Sequence, residues 1–415
     1  MLDGMSRHPS KANKSKAARR AREYYAKKAL RRTADPADLA GLLSPEDDRN
    51  LRACADAELQ GDPATALGHY REIEQFAESL HGERLELLAE LGEEAPGWLW
   101  TRWMTVQARR PLWTGAAEAD KPSPQMVEAV QIAYPEEPDP DRMDGMSMPL
   151  FVASLHERDW LVRQLTVYES GMLRRLTYDL AGDRLLAHAD QPGAWATAPI
   201  GAYRLIDDAA GVIQVLDLGS GELIDLLDLG LGAEHWPGQY FLGRVVPIVD
   251  GPGRMFEWRP LPVGKVTAQR VADDPDRWLD VIAERSHKRV LPPMWSHVGD
   301  EEMVADLPVN SWLGLLDRDD IDELPSTEDL ISYDDVAAFA LRRMLTLAAH
   351  PDVPAAMLRH FAWPLLLRPG IDQVVRAELA GPDHAAGWRA LAAATLDLVA
   401  RRCSAYADLG ARPAA

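Results

Sequence analysis

The segment 212-VIQVLDLGSGELIDLLDL-229 contains two apolar runs of strand length on either side of a glycine–serine turn. Apolar runs of four to eight residues that are bounded by Gly, Pro or Asp indicate β-strands, and a short turn between two of them indicates an antiparallel hairpin. Similar runs with turn residues between them occur nearby, at 202-AYRLID-207, 240-YFLGRVVPIV-249 and 254-RMFEWRPL-261. Residues 194–265 therefore predict a small antiparallel β module, either a meander or a small barrel.

Helical patterns precede and follow this module. Ser44 and Pro45 with acids behind them form a helix start, and the sequence 61-GDP-63 ends that helix and begins another. The segment 332-SYDDVAAFALRRMLTLAAH-350 predicts a long helix with a serine cap. We therefore predict an α+β protein that is mainly helical, with the β module in the middle of the chain.

The composition changes along the chain predict six segments. They are a basic, partly disordered arm (1–35), a helical hairpin domain (36–110), an acidic proline-rich linker (111–149), an amphipathic helix (150–193), the β module (194–265) and a helical C-terminal domain (266–415).

Three tryptophans, Trp98, Trp100 and Trp103, fall within one predicted helix of the N-terminal region. Aromatic side chains at such spacing pack a helix onto its neighbours, and they also serve as stacking platforms for nucleic-acid bases. We favour the core interpretation, because large aromatic side chains dominate core burial.

Several classes of site are not indicated by the 415 residues. The two cysteines, Cys54 and Cys403, are too few for a disulfide scaffold or a four-cysteine zinc site. The histidines are scattered along the chain, and no phosphate-binding loop, zinc helix or serine elbow occurs. The acidic segment 317–328 has an aspartate, Asp322, where a calcium-binding loop needs glycine. We therefore predict no metal site and no cofactor.

The charge is distributed very unevenly. The chain has a formal net charge of −20, yet residues 1–32 contain eleven basic and two acidic side chains, which leaves −29 for the remainder. A basic arm on an acidic body favours contact with a polyanion such as nucleic acid, or with the acidic body itself. The alternative is a solvated helical tail. A second, smaller basic patch, 285-RSHKR-289, either extends an anion-binding surface or complements a helix C-terminus.

The partner that we predict is nucleic acid or another polyanion, bound through residues 7–32. The candidate polyanion-binding residues are Lys11, Lys14, Lys16, Arg19, Arg20, Arg22, Lys27, Lys28, Arg31 and Arg32.

The turn at residue 217 allows a second interpretation. The sequence 215-VLDLGSGEL-223 is similar to the glycine-rich motif of class I S-adenosylmethionine methyltransferases. That resemblance implies a cofactor loop built from Asp217, Gly219 and Gly221 between a strand and a helix. A hairpin turn, with Gly219 and Gly221 at positive φ, is the interpretation that we favour, because Leu223 stands where the third glycine of the motif belongs.

Two partial resemblances accompany these patterns. The order 215-VLDLGSGE-222, 237-PGQYFLGRVVP-247 and 260-PLPV-263 resembles the β module of uncharacterised actinobacterial proteins of the SEC-C-associated kind, over residues 200–283. The zinc motif of those proteins is absent from this sequence, and the family implies no reaction. Residues 48–77 resemble one tetratricopeptide-like hairpin, without a second copy at the expected period.

The sequence favours a cytoplasmic binding or adaptor protein over an enzyme. No apolar run approaches the length of a membrane-spanning helix, and the body has a composition typical of bacterial chains. We expect a protein partner for the body and a polyanion for the arm, while an S-adenosylmethionine-dependent methyltransferase is the alternative.

Overall fold

The computed structural model describes residues 44–76, 79–109, 124–133, 159–209, 211–288 and 333–411, together with Met303 and Leu315. The basic arm, the acidic segment 317–328 and most of the predicted linker lie outside these ranges. In the described ranges the chain is an α+β protein that is mainly helical, with one larger antiparallel sheet, as the sequence predicts.

The N-terminal helices begin at the predicted cap. Ser44 Oγ accepts a hydrogen bond from the Asp47 amide (3.1 Å), and the Asp47 carboxylate accepts one from the Ser44 amide (2.9 Å). Gly61 ends the first helix at φ +72°, and a Cβ on it would lie 2.7 Å from the backbone nitrogen of Leu185. Only glycine fits this turn. The helices of this region are α1 (Pro45–Leu59), α2 (Pro63–Arg71), α3 (Leu80–Leu91), α4 (Gly97–Ala108) and α5 (Pro124–Ala133).

The tryptophans of α4 belong to the core. Trp98, Trp100 and Trp103 are at most 2% exposed, so they offer no face on which a base could stack. Trp98 packs edge-on against Trp363 of the C-terminal region, with ring centroids 5.7 Å apart. These contacts join the N-terminal helices to the C-terminal ones, and the core interpretation is confirmed.

The segment before the sheet differs from the prediction. In place of one amphipathic helix over residues 150–193, the described part contains a series of short helices. Gly171 adopts φ +73° between the first two and interrupts the helical pattern. The helices are α6 (Trp160–Arg163), α7 (Met172–Arg175), α8 (Asp183–His188) and α9 (Pro192–Thr197), and π-helical turns extend α6 (Gln164–Glu169) and α7 (Leu176–Leu180).

The β module is an open sheet and not a closed barrel. Its strands are β1 (Gly201–Ala209), β2 (Val212–Asp217), β3 (Leu223–Leu227), β4 (Tyr240–Gly243), β5 (Val245–Pro247), β6 (Arg254–Phe256) and β7 (Leu261–Val263). The five-stranded sheet has the order β3-β2-β1-β4-β7, and every neighbouring pair is antiparallel. Strands β5 and β6 form a separate two-stranded ribbon. A short helix, α10 (Leu231–Glu234), connects β3 to β4.

Helices return after the sheet. They are α11 (Lys265–Asp273), α12 (Trp278–His287), α13 (Tyr333–Ala349), α14 (Arg359–Leu366), α15 (Ile371–Val374), α16 (Ala385–Ala394) and α17 (Asp397–Ala411), with a π-helical turn (Val375–Leu379) after α15. Gly387 of α16 lies against the backbone carbonyl of Leu345 in α13, and a Cβ on Gly387 would collide with it. One apolar cluster contains residues of the N-terminal helices, the β module and the C-terminal helices. In the described ranges, no helix has both the length and the apolar character needed to cross a membrane.

Candidate functional site

The predicted polyanion site falls on residues that the structure does not describe, since all ten of its basic residues precede residue 44. The second basic patch is described as far as Lys288, at the C-terminal end of α12. Lys288 pairs with Glu284, and the Arg285 guanidinium donates to Thr267 Oγ1 (3.1 Å). Lys288 is thus paired locally, and the described part of the patch lies at the C-terminal end of α12, where the helix dipole favours cations.

The turn that carries Asp217, Gly219 and Gly221 is a hairpin. The Asp217 carboxylate accepts hydrogen bonds from the Gly219 amide (2.9 Å) and the Ser220 hydroxyl (3.0 Å). The backbone amide of Asp217 donates to the Glu222 carbonyl (2.9 Å). Gly221 has φ +75°, but Gly219 keeps an ordinary φ, so only one of the two predicted positive-φ glycines has that conformation. Antiparallel β2 and β3 leave this turn, so it lacks the strand–loop–helix connection of a methyltransferase cofactor loop.

A buried polar network lies where α4, the helix around residue 164 and the β module meet. At its centre is the Glu257 carboxylate, which is 2% exposed. It pairs with the Arg163 guanidinium (3.2 Å) and accepts hydrogen bonds from Gln164 Nε2 (2.7 Å) and the Tyr168 hydroxyl (3.0 Å). Arg163 also donates to Thr105 Oγ1 (2.5 Å). Helices and sheet are therefore joined by charge-assisted hydrogen bonds in the interior.

Cations surround this carboxylate on several sides. The Arg163 guanidinium lies 3.7 Å from the centre of the Trp258 ring, and that of Arg102 lies 5.3 Å from it. Arg244 donates to the side chain of Gln164 (2.8 Å) and pairs with Glu169 (2.6 Å). Among the charged side chains of this network, three are arginines and two are glutamates, so positive charge is in excess.

The surroundings shift the pKa values of Glu257 and Tyr168. Burial alone would raise the pKa of Glu257, but the Arg163 guanidinium and the hydrogen bonds from Gln164 and Tyr168 outweigh it, so the pKa lies below its ordinary value of 4.5. Burial and the neighbouring Glu257 charge raise the pKa of Tyr168 well above its ordinary value. Glu257 is thus held as a carboxylate and Tyr168 as a neutral donor, which makes the network a structural junction.

A second charged cluster joins the sheet to α14. Arg359 pairs with Asp208 and lies 3.8 Å from Asp228, while His360 Nδ1 lies 3.2 Å from the Asp228 carboxylate. Asp228 also accepts a hydrogen bond from the Gly230 amide (2.9 Å). The two carboxylates and the histidine are close enough to share a metal ion, but the Arg359 guanidinium already lies within 4 Å of both carboxylates.

A third cluster lies in the N-terminal helices. Cys54 and Glu58 are one turn apart on α1, and His81 is in the first turn of α3. The Cys54 thiol donates to Glu58 Oε1 (3.4 Å), and His81 Nε2 lies 2.6 Å from the same oxygen. In the described residues this is the second group whose three potential ligand atoms all lie within 4.8 Å of one another.

These clusters were not predicted from the sequence because their members are distant along the chain. Glu257 is separated from Arg163 by 94 residues, and His81 is separated from Glu58 by 23. The only local signal was the four-residue spacing of Cys54 and Glu58, which puts both side chains on one helix face.

Comparisons of the chain with protein-family models, with curated proteins and with solved structures found no match.

Proposed function

We propose that the protein is a non-catalytic binding protein of the cytoplasm whose basic arm contacts nucleic acid, while its acidic body contacts a protein partner. The observation that carries the proposal is the charge split between residues 1–32 and the rest of the chain. Phosphate contacts by lysine and arginine release counterions, which favours binding without any pocket.

The described part of the body supports this division. Several of its cations pair with carboxylates within the fold, as in Arg71–Glu86, Arg342–Glu378 and Arg376–Asp372. Others, such as Arg163 and Arg244, are buried. Residues 1–32 are therefore the segment with the largest excess of positive charge, which supports the arm as the polyanion-binding part.

The buried state of the reactive groups supports a non-catalytic role. Burial raises the pKa of the Cys403 thiol to about 12, which disfavours the thiolate that a cysteine nucleophile needs. Glu257 and Tyr168 are buried and hydrogen-bonded to each other.

The test is a titration of labelled RNA and DNA oligonucleotides with the full chain at about 50 mM and about 200 mM salt, followed by fluorescence anisotropy. A full-length variant with Lys27, Lys28, Arg31 and Arg32 changed to glutamine has lost four potential phosphate contacts. We expect weaker binding, and a slope of log affinity against log salt that is smaller by about 3 to 4.

The matched control neutralises cations of the body. A variant with Lys265, Arg285 and Lys288 changed to glutamine should bind as the parent protein does. Equal affinities of parent and arm variant, or no binding by the parent, would remove nucleic acid from the proposal. Calorimetry with S-adenosylmethionine tests the enzymatic alternative, and saturable binding there would favour a methyltransferase.

A further inference from the structure

The third cluster brings together three different metal-binding groups. A thiol, a carboxylate and an imidazole, from Cys54, Glu58 and His81, converge with their ligand atoms within 4.8 Å of one another. Cys54 is fully buried and Glu58 is 1% exposed. A thiol and an imidazole, two groups that zinc prefers, thus contact the same buried carboxylate oxygen.

The histidine ring is fixed by its neighbours. It stacks on Trp103, with ring centroids 5.0 Å apart and planes 16° apart, and Tyr70 contacts it edge-on at 5.0 Å. The Tyr70 hydroxyl shares a hydrogen bond with Ser79 Oγ (2.7 Å), and the same Oγ accepts from the Gly82 amide at the start of α3. Held in this way, the ring directs Nε2 at Glu58.

We propose that Cys54, Glu58 and His81 bind one zinc ion. Cysteine, histidine and glutamate are all zinc ligands, and a soft thiolate beside an imidazole favours zinc over magnesium or calcium. On binding, the Cys54 thiol releases its proton to solvent and its sulfur forms a bond to the metal. The thiolate and the Glu58 carboxylate then supply two negative charges against the dication.

The observed distances fit such an ion with a small adjustment. Zinc bond lengths of about 2.0 to 2.3 Å in a tetrahedron separate the ligand atoms by about 3.4 to 3.6 Å. The sulfur of Cys54 already lies 3.4 Å from Glu58 Oε1. The nitrogen of His81 lies 2.6 Å from that oxygen, so the two atoms have to separate by about 0.8 Å when the ion binds.

The Asp208–Asp228–His360 group is the weaker candidate. The Arg359 guanidinium contacts both carboxylates, so a dication there would be placed beside a permanent cation. The cluster at Cys54 joins α1 to α3, and a zinc ion would tie these two helices together. Its proposed role is to hold α1 against α3, with a water molecule in the fourth position of the tetrahedron.

The experiment uses the full chain, free of any affinity tag and stripped of metal with a chelator. Cobalt(II), which replaces zinc and is coloured, is titrated into the protein, and zinc is then used to displace it. We expect one equivalent of metal, an absorption band from thiolate-to-cobalt charge transfer, and a higher melting temperature with zinc than without it.

The second cysteine provides a matched control. In the variant C403S, Cys54 is the only thiol, so a thiolate–cobalt band can come only from the proposed site, and we expect the band to persist. In C54S and H81Q we expect the band to be lost, together with the zinc-dependent rise in melting temperature. Melting curves of the metal-free variants report whether each one folds.

The proposal is overturned if the parent chain and C403S bind no metal, or if C54S binds cobalt with the same stoichiometry and spectrum as the parent. The cluster would then be a buried hydrogen-bonded pair of Glu58 and His81. C403S keeps all three proposed ligands, so its metal binding alone can refute the site. The proposal therefore stays testable even if C54S or H81Q does not fold.

Discussion

Replacing Glu257 by glutamine removes one charge from the junction network and leaves its shape unchanged. The carboxylate accepts from Gln164 at one oxygen and from Arg163 and Tyr168 at the other. A glutamine amide has only one acceptor oxygen, so in either orientation one N–H group faces a donor. It also leaves the Arg163 guanidinium, which is 1% exposed, without its counter-charge.

The expected loss follows from this burial. Removing one partner of a buried, hydrogen-bonded ion pair destabilises a protein by about 3–5 kcal/mol. That is a large part of the stability of an ordinary domain, which is about 5–15 kcal/mol. Urea unfolding of the parent and E257Q at pH 7, followed by tryptophan fluorescence, measures the difference.

The pH dependence provides a second readout. Because the pKa of Glu257 is lowered below 4.5 in the folded state, the charged carboxylate stabilises the parent at pH values above 4.5. This contribution is lost as the pH falls through the folded-state pKa, whereas E257Q has none to lose. The difference between the two proteins should therefore be largest near neutral pH and should shrink below pH 4.5.

The matched control is E284Q. Glu284 pairs with Arg270 and Lys288 on the surface, so its replacement should change stability little. If E257Q were no less stable than E284Q, or if its deficit did not diminish in acid, the network would contribute no charge-dependent stability and our reasoning would be refuted.

Three further changes test the packing and the buried charges. Gly68 and Gly387 both lie inside helices, so alanine improves helix propensity at each. With open space around Gly68, G68A should gain about 0.5–1 kcal/mol of stability. G387A should lose about 1–3 kcal/mol of stability, because its Cβ collides with the facing backbone. Thermal unfolding measures both changes, and changes of the same sign would contradict the packing described above. Burial raises the pKa of Asp159 to about 6 from 3.8, so the parent loses stability as the pH rises between these values. D159N should therefore gain about 3 kcal/mol relative to the parent between pH 4 and pH 7, and a pH-independent difference in denaturation midpoint would disprove this. R359M removes the guanidinium that contacts Asp208 and the buried Asp228, so its free energy of unfolding in urea should be lower by about 3–5 kcal/mol. A loss below about 1 kcal/mol would mean that this cluster is not needed to hold the sheet against α14.

The elements that local chemistry determines were predictable. The start of α1 follows from a serine and an aspartate three residues apart that satisfy each other's amides. The β2–β3 hairpin follows from two apolar runs around Asp217 and Gly221, which form their turn without help from distant residues. Both features depend on residues that are close together in the sequence, so they could be predicted without knowledge of tertiary contacts.

The features that depend on tertiary contact were missed. The interruption at Gly171 leaves the helical spacing of apolar residues intact, and so periodicity alone predicted one continuous helix. The candidate zinc ligands were missed because His81 meets Cys54 and Glu58 only after three helices have packed together. A spacing of four on one helix is common, and nothing in the sequence identified its partner.

The distribution of cation types also separates the arm from the body. Five of the eight lysines lie in the arm, and the two in the described ranges, Lys265 and Lys288, are exposed. The buried cations of the described body are arginines, such as Arg102 and Arg163. A planar guanidinium keeps its charge and makes several directed hydrogen bonds after losing water, whereas the ammonium group of lysine is strongly hydrated. The body therefore uses arginine to hold its own parts together, whereas most of the lysines, whose hydrated charge would suit the polyanion partner that we propose, lie within residues 1–32.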